Sequence, residues 1–133
     1  MSRYCLDTSA YSRFKSGHEA LAERIDTAEW VGVPSVVLGE LWVGFLGGRH
    51  IERNAAELAR FLANPAVHEI PVQREVARLY AEILVDLRRA GTPVPTNDIW
   101  IAASAAHAGA TVLTADRHFA AIQRVGSIVI DGP

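Results

Sequence analysis

The chain has 133 residues, half of them apolar, and a formal net charge of −2 at pH 7. A chain of this length can bury about two-thirds of the surface that its unfolded form exposes, so we expect one domain over residues 1–133. No run approaches the roughly 18 consecutive apolar residues of a membrane span. The charge balance lacks the basic excess typical of many nucleic-acid-binding proteins. Composition therefore indicates a soluble globular protein, with no membrane partner, and leaves nucleic-acid binding open.

The first residues are predicted to be structural rather than a secretion signal, because Asp7 interrupts their apolar run after only a few positions. Cys5 is the only cysteine, so an internal disulfide is impossible, and its apolar neighbours predict a buried side chain. Both features favour a cytoplasmic protein.

Short apolar runs bounded by turn-forming or charged residues alternate along the chain with segments of helical periodicity. In chain order we predict strand 4–6, helix 20–28, strand 30–33, helices 35–46 and 52–62, strand 69–72, helices 74–89 and 99–108, and strands 111–114 and 127–130. Parallel strands need long crossovers, which helices supply, so the pattern indicates a parallel sheet covered on both faces. The predicted fold class is α/β.

Two acidic residues follow predicted strands directly. Asp7 comes after the first strand and Asp116 after the fourth. Open parallel sheets bind ligands beyond the carboxyl ends of their strands, at the point where strand order reverses. If the first and fourth strands are neighbours there, the two side chains meet.

Two more acidic residues lie in helices that can reach the same edge. Asp98 is in the first turn of a helix for which Thr96 or Asn97 is the predicted N-cap. Glu40 is a charged residue inside an otherwise apolar helix, where it needs a partner.

Each acidic residue taken alone also has a purely local interpretation. Asp7 can cap a helix that begins at Thr8, Asp116 can stabilise a turn, and Asp98 favours the helix dipole. Glu40 can face solvent on an amphipathic helix. Brought together, however, four carboxylates repel one another strongly unless a cation lies between them. Hard oxygen ligands select Mg²⁺, with Mn²⁺ as a second possibility.

The histidines are assigned to surface or core packing because none accompanies a serine or cysteine nucleophile motif: His18, His50, His68, His107 and His118. No cysteine or histidine is expected at ligand spacing beside the four acids, which argues against zinc. His118 is the exception to follow, since it comes shortly after Asp116.

Other enzyme classes lack their required residues. A phosphoaspartyl enzyme of the haloacid dehalogenase class needs a second aspartate two positions after Asp7, where this chain has Ser9. A response-regulator receiver needs a late lysine, and the only lysine is Lys15. Glycine-rich nucleotide-binding loops are also missing.

The arrangement resembles a PIN domain, and specifically the ribonuclease toxin of a VapBC toxin–antitoxin pair. The resemblance covers essentially the whole chain and is specific through the order and spacing of its motifs. These are Leu6-Asp7-Thr8-Ser9, Gly39-Glu40-Leu41 with Gly44, the segment 97–103 (Asn-Asp-Ile-Trp-Ile-Ala-Ala), and the segment 114–119 (Thr-Ala-Asp-Arg-His-Phe).

The resemblance implies a five-stranded parallel sheet in the order 3-2-1-4-5 and metal-dependent cleavage of RNA. It makes Asp7, Glu40, Asp98 and Asp116 the catalytic, metal-binding acids. Hydroxyl and amide side chains are expected to orient them by hydrogen bonding. These are Thr8, Ser9, Asn97 and Thr114.

The resemblance also implies a cognate antitoxin, a homodimer and a higher toxin–antitoxin assembly. Candidate RNA-guiding arginines near the site are Arg13, Arg88, Arg89 and Arg117, which could equally form solvated helix faces. Apolar residues at helical spacing are either core or an antitoxin groove, namely Leu38, Trp42, Phe45 and Leu46. A PIN-like module that binds RNA or protein without cutting is the alternative function. The RNA target is not readable from the sequence.

Overall fold

A computed structural model describes residues 2–130; the first residue and the last three of the predicted domain 1–133 lie outside the described residues. The strands are β1 (Arg3–Leu6), β2 (Trp30–Pro34), β3 (Val67–Ile70), β4 (Thr111–Thr114) and β5 (Ser127–Val129). The helices are α1 (Thr8–Lys15), α2 (Glu19–Thr27), α3 (Ser35–Leu46), α4 (Ile51–Leu62), α5 (Arg74–Ala90) and α6 (Thr96–Ala108). A short 3₁₀ helix (Arg117–Ala121) joins β4 to β5.

All five strands are parallel and form one sheet in the order β3-β2-β1-β4-β5, as expected. The chain winds from β1 outward to β3 and then returns over the sheet to place β4 on the other side of β1. Strand order therefore reverses between β1 and β4. Their carboxyl ends form the crevice in which such sheets bind ligands.

Both faces of the sheet are covered. Successive strand residues point to opposite faces, and neighbours such as Cys5 and Leu6, or Val112 and Leu113, are all fully buried. Crossovers between parallel strands are right-handed in almost all proteins, so the strand order implies that α1 to α4 lie on one face and α5 and α6 on the other. The predicted α/β class and the burial of Cys5 are confirmed. Within residues 2–130, no helix has the length and apolar character needed to cross a bilayer.

The third strand was predicted two residues too late. It spans Val67–Ile70, where Val67 and Ile70 are buried, rather than 69–72. Its register pairs Val67 with Val31 in β2 and Ile70 with Pro34. Pro71 has no backbone N–H to continue the ladder, so the strand ends before it.

The helices also differ from the prediction at two places. Thr8–Lys15 is a helix in its own right, which the periodicity did not include, although the capping interpretation of Asp7 gave a helix that begins at Thr8. The helix predicted over 99–108 begins at Thr96, and its N-cap is Pro95 rather than Thr96 or Asn97. Pro95 has extended backbone angles and its carbonyl accepts from Ile99 N, so the chain is already helical at both predicted cap residues.

Candidate active site

Asp7 lies at the carboxyl end of β1 and is also the N-cap of α1. Its Oδ1 accepts hydrogen bonds from Ala10 N at 2.8 Å and from Ser9 Oγ at 2.7 Å. Its Oδ2 accepts from Thr114 Oγ1, and only 4% of the residue is exposed. Asp7 can therefore be both a helix cap and a site residue, because the hydrogen bonds by which it caps α1 also hold its carboxylate at the switch point.

Thr114, the last residue of β4, connects the two strand ends. Its hydroxyl donates to Asp7 and accepts from Asp116 N at 2.8 Å. Ser9 adds a second link, since its Oγ accepts from Ala115 N at 2.9 Å. The segment after β4, which carries Asp116, is thus held against the start of α1.

Asp98 and Asp116 face a common point. His118 Nδ1 lies 3.3 Å from Asp98 Oδ2 and 3.0 Å from Asp116 Oδ1. Among the described residues, Asp98, Asp116 and His118 form the group whose ligand atoms all lie within 4.8 Å of one another. Asp7 and Glu40 are outside that group.

Glu40 is held at the edge of the site by residues that neighbour the other acids. Its Oε1 accepts from Thr8 Oγ1 at 2.6 Å, and its Oε2 accepts from Asn97 Nδ2 at 3.3 Å. Thr8 follows Asp7, and Asn97 precedes Asp98. Glu40 therefore connects α3 to the starts of α1 and α6.

The site concentrates negative charge in a partly dehydrated place. Burial raises the pKa of Asp7, although hydrogen bonds from Thr114, Ala10 N and Ser9 act in the opposite direction, and the charge on Asp116 raises it further. Burial also raises the pKa of Asp98, which the His118 contact lowers and the charges of Asp116 and Asp7 raise. Asp7, Asp98 and Asp116 thus repel one another, which favours a cation between them.

The donor set fits a divalent cation. Carboxylate oxygens are the hard ligands that Mg²⁺ and Mn²⁺ take, and the Asp98 and Asp116 side chains remain 18% and 38% exposed. Both are therefore reachable from solvent. The hydroxyl and amide groups of Thr8, Ser9, Asn97 and Thr114 contact the acids as hydrogen-bonding partners.

The expectation that no histidine lies at ligand spacing was wrong, and the histidine concerned is His118, the one that the sequence set apart from the others. Asp116 Oδ1 accepts from His118 N at 2.9 Å, and this turn brings the imidazole back over the carboxylate. The spacing of two residues between an acidic residue and a histidine was the available signal. Periodicity could not reveal it, because the segment is a 3₁₀ turn rather than a helix or strand.

The remaining predicted residues occupy the surroundings of the site. Arg117 follows Asp116 directly and is exposed, Arg13 is half-buried on α1, and Arg88 and Arg89 are exposed in the last turn of α5. On α3, Leu38 and Phe45 pack partly against the core, whereas Trp42 and Leu46 are 40% and 65% exposed. Of these four apolar residues, two therefore pack against the core and two face solvent.

The fold and this acidic crevice define a class of protein. The family model described as "PIN domain" matches residues 4–125, and the chain belongs to the PIN-domain family.

Individual proteins of this family are also similar to the chain in sequence and in structure. The chain is 34% identical to ribonuclease VapC5 of Mycobacterium tuberculosis over 94% of this chain and 91% of that one. The structure is similar to VapBC-5 from the same organism, a toxin–antitoxin system member, with TM-score 0.74, 32% identity and coverage of 98% and 100%. DNA-bound VapBC from Salmonella typhimurium gives TM-score 0.82 and 28% identity, with coverage of 97% and 98%.

Proposed function

We propose that this chain is a metal-dependent endoribonuclease that acts as the toxin of a toxin–antitoxin pair. The observation that carries the proposal is that Asp98 and Asp116 lie at ligand distance from each other at the switch point of the sheet, near enough to Asp7 that burial and mutual charge raise the pKa of Asp7 and of Asp98. Maintaining like charges together in a partly buried place costs stability, and a cation offsets that cost. The ribonuclease name of the 34%-identical relative supports the same activity.

In the proposed mechanism, the ion would be Mg²⁺ or Mn²⁺, and the residues that would hold it are Asp7, Glu40, Asp98 and Asp116. An ion bound there would supply a water of lowered pKa and would neutralise charge on the scissile phosphate. Thr114 and Ser9 keep the Asp7 carboxylate in place through the hydrogen bonds described above. Cleavage by an activated water leaves a 5′-phosphate and a 3′-hydroxyl.

Glu40 is proposed to bind the ion and also to position the other acids. Each of its oxygens accepts one hydrogen bond, from Thr8 or from Asn97, and such an oxygen keeps a second lone pair for a cation, as the oxygens of Asp7 do. The same hydrogen bonds connect Glu40 to the starts of α1 and α6. Asp7 is the N-cap of α1, and Asp98 lies in the first turn of α6. Glu40 thereby fixes the distance between those carboxylates, as orienting groups around metal sites do.

RNA must reach an acidic crevice, and we assign this guidance to the arginines at its rim. Arg117 is exposed beside Asp116, and Arg88 and Arg89 precede the loop that leads into α6. Arg13 lies on α1, which Asp7 caps. Guanidinium groups pair with phosphates in a forked geometry, which suits this function.

The antitoxin is proposed to bind the exposed apolar face of α3. Trp42 and Leu46 are exposed there, and Leu38 and Phe45 form the partly buried floor. Several similar structures are VapBC assemblies, which supports a partner of this kind. A homodimer, a higher assembly with the antitoxin, and a cytoplasmic location belong to the same proposal.

The alternative is a PIN-like module that binds RNA or protein without cutting. Two measurements on purified protein treated with a chelator separate the two functions. Calorimetry with Mg²⁺ or Mn²⁺ tests the metal site, and incubation with total RNA followed by mapping of 5′ ends tests cleavage. We expect saturable metal binding and new 5′-phosphate ends only when metal is added. Metal-independent RNA binding with intact RNA would instead establish the binding module.

A further inference from the structure

Among the described residues, His118 is the histidine that has a ring nitrogen within 4.8 Å of a carboxylate oxygen of both Asp98 and Asp116, close enough to bind the same metal ion. Its Nδ1 is 3.0 Å from one carboxylate oxygen and 3.3 Å from the other. The side chain is 52% exposed, so burial does not explain why the ring lies over the two acids. The contacts that hold the imidazole in this position are those with the two carboxylates.

Two features on either side of the ring fix its position. The backbone N of His118 donates to Asp116 Oδ1 at 2.9 Å, which closes the turn at the start of the 3₁₀ helix. The next residue, Phe119, is fully buried and anchors that helix in the core. The imidazole is therefore presented to the crevice by a well-anchored backbone, although its outer edge is in solvent.

We propose that His118 Nδ1 is a ligand of the divalent cation at this site, which makes the site a mixed oxygen and nitrogen site. The inference rests on the proposed metal-dependent function. Adjacent ligands of an octahedral ion with bonds of about 2.1 Å lie about 3 Å apart, which matches the two distances. Imidazole nitrogen binds first-row transition ions better than Mg²⁺, so His118 shifts the preference of the site toward Mn²⁺.

A different role would leave the same geometry in the metal-free protein. His118 could donate a hydrogen bond from Nδ1 to the carboxylates and only orient them. The two roles differ once the cation is bound, because a ligand nitrogen couples magnetically to Mn²⁺ and a hydrogen-bonding nitrogen does not. His118→Gln separates them, since its amide can still donate to both carboxylates but offers no imidazole nitrogen.

The test uses Mn²⁺ alone as the probe. Electron paramagnetic resonance of the bound ion, with electron spin-echo modulation, detects a directly coordinated imidazole nitrogen. Loss of the free-ion signal gives the Kd for Mn²⁺, and competition gives that for Mg²⁺. The matched control is His107→Gln, an exposed histidine near the opposite end of α6, in contact with Gln73.

We expect nitrogen modulation in the wild type and in His107→Gln, and its loss in His118→Gln. The ratio of the Mg²⁺ Kd to the Mn²⁺ Kd should fall roughly tenfold in His118→Gln, the scale on which metal-site groups contribute to affinity. Tight Mn²⁺ binding without nitrogen modulation in the wild type would overturn the role of His118 and leave the proposed ribonuclease standing. Folded wild-type protein that binds no Mn²⁺ would overturn both.

Discussion

The hydroxyl of Thr114 at the end of β4 donates a hydrogen bond to Asp7 Oδ2 at the end of β1. Thr114 is fully buried, and the same hydroxyl accepts from Asp116 N. One small side chain thus sets the relation between two of the acids that form the crevice. The positions of Asp7 and Asp116 therefore depend on the pairing of β1 with β4.

Thr114→Val should weaken both folding and RNA cleavage. Valine has nearly the same shape but leaves a buried carboxylate oxygen without its donor, which costs about 1–3 kcal/mol of unfolding free energy. Urea unfolding measures this loss, and Thr114→Ser, which keeps the hydroxyl, is the control. A valine variant as stable and as active as the serine variant would show that the hydroxyl does not position Asp7.

Asp7→Asn should fold at least as stably as the wild type at pH 7 while losing cleavage. Asparagine retains an oxygen for Ala10 N and Ser9, and its amide can donate to Thr114. It also removes a buried charge whose raised pKa reports a cost of ionisation in the fold. Asp7→Ala loses the cap and should be less stable than Asp7→Asn by about 0.5–2 kcal/mol. Equal destabilisation by both variants would contradict a charge cost at Asp7.

The surface cluster of Arg124, Asp86 and Glu82 should make the stability of the fold decrease in acid. Hydrogen bonds from Arg124 lower the pKa of Asp86 from its ordinary value of 3.8. The fold therefore favours the charged carboxylate, so its contribution is complete above 3.8 and is lost as pH falls through the lowered pKa. Thermal unfolding should show Asp86→Asn less stable than the wild type at pH 7, with the difference disappearing in strong acid.

Asp26, an exposed aspartate on α2, provides the matched control for that comparison. Asp26→Asn should follow the wild type at every pH. A difference between Asp86→Asn and the wild type that grows on acidification would have the wrong sign and would contradict the assignment to Asp86.

Trp42→Ala should impair antitoxin binding without unfolding the chain. Trp42 is 40% exposed and contacts Phe45 edge to face, so its loss should change the unfolding free energy by less than about 1 kcal/mol. An aromatic anchor of an interface is typically worth about 2 kcal/mol or more. Calorimetry with the purified cognate antitoxin measures the effect. The control is Val85→Ala, which removes an apolar residue of similar exposure from α5. Equal affinities of both variants would place the antitoxin elsewhere.

The strand-end acids were predictable because they depend on topology alone. Asp7 and Asp116 follow short apolar runs, and neighbouring parallel strands bring such positions together. The position of Asp98 in a first helical turn was predictable for the same kind of reason. The hydrogen bonds that hold Glu40 were not, since Thr8 and Asn97 come from distant parts of the chain.

The errors have local physical causes. The third strand was predicted too late because its residues do not alternate regularly between buried and exposed: their order is buried, exposed, exposed, buried. The apolar residues Pro71 and Val72, which follow it, extended the predicted strand beyond its true end. The start of α6 was misplaced because a proline carbonyl, rather than a polar side chain, forms its cap. The contacts of His118 with the acids were not predicted because they arise from a backbone turn that no periodic pattern marks, although its place shortly after Asp116 set it apart from the other histidines.

The most direct test of the central claim compares RNA cleavage by Asp98→Asn and Asp26→Asn in protein purified free of host nucleases. Both changes remove one negative charge, but only Asp98 lies in the acidic crevice. Single-turnover rates with Mg²⁺ should fall at least roughly a hundredfold for Asp98→Asn, the scale typical of a lost electrostatic group at a reaction centre. They should be unchanged for Asp26→Asn. Metal-dependent cleavage that persists at the wild-type rate in Asp98→Asn would contradict the proposed site.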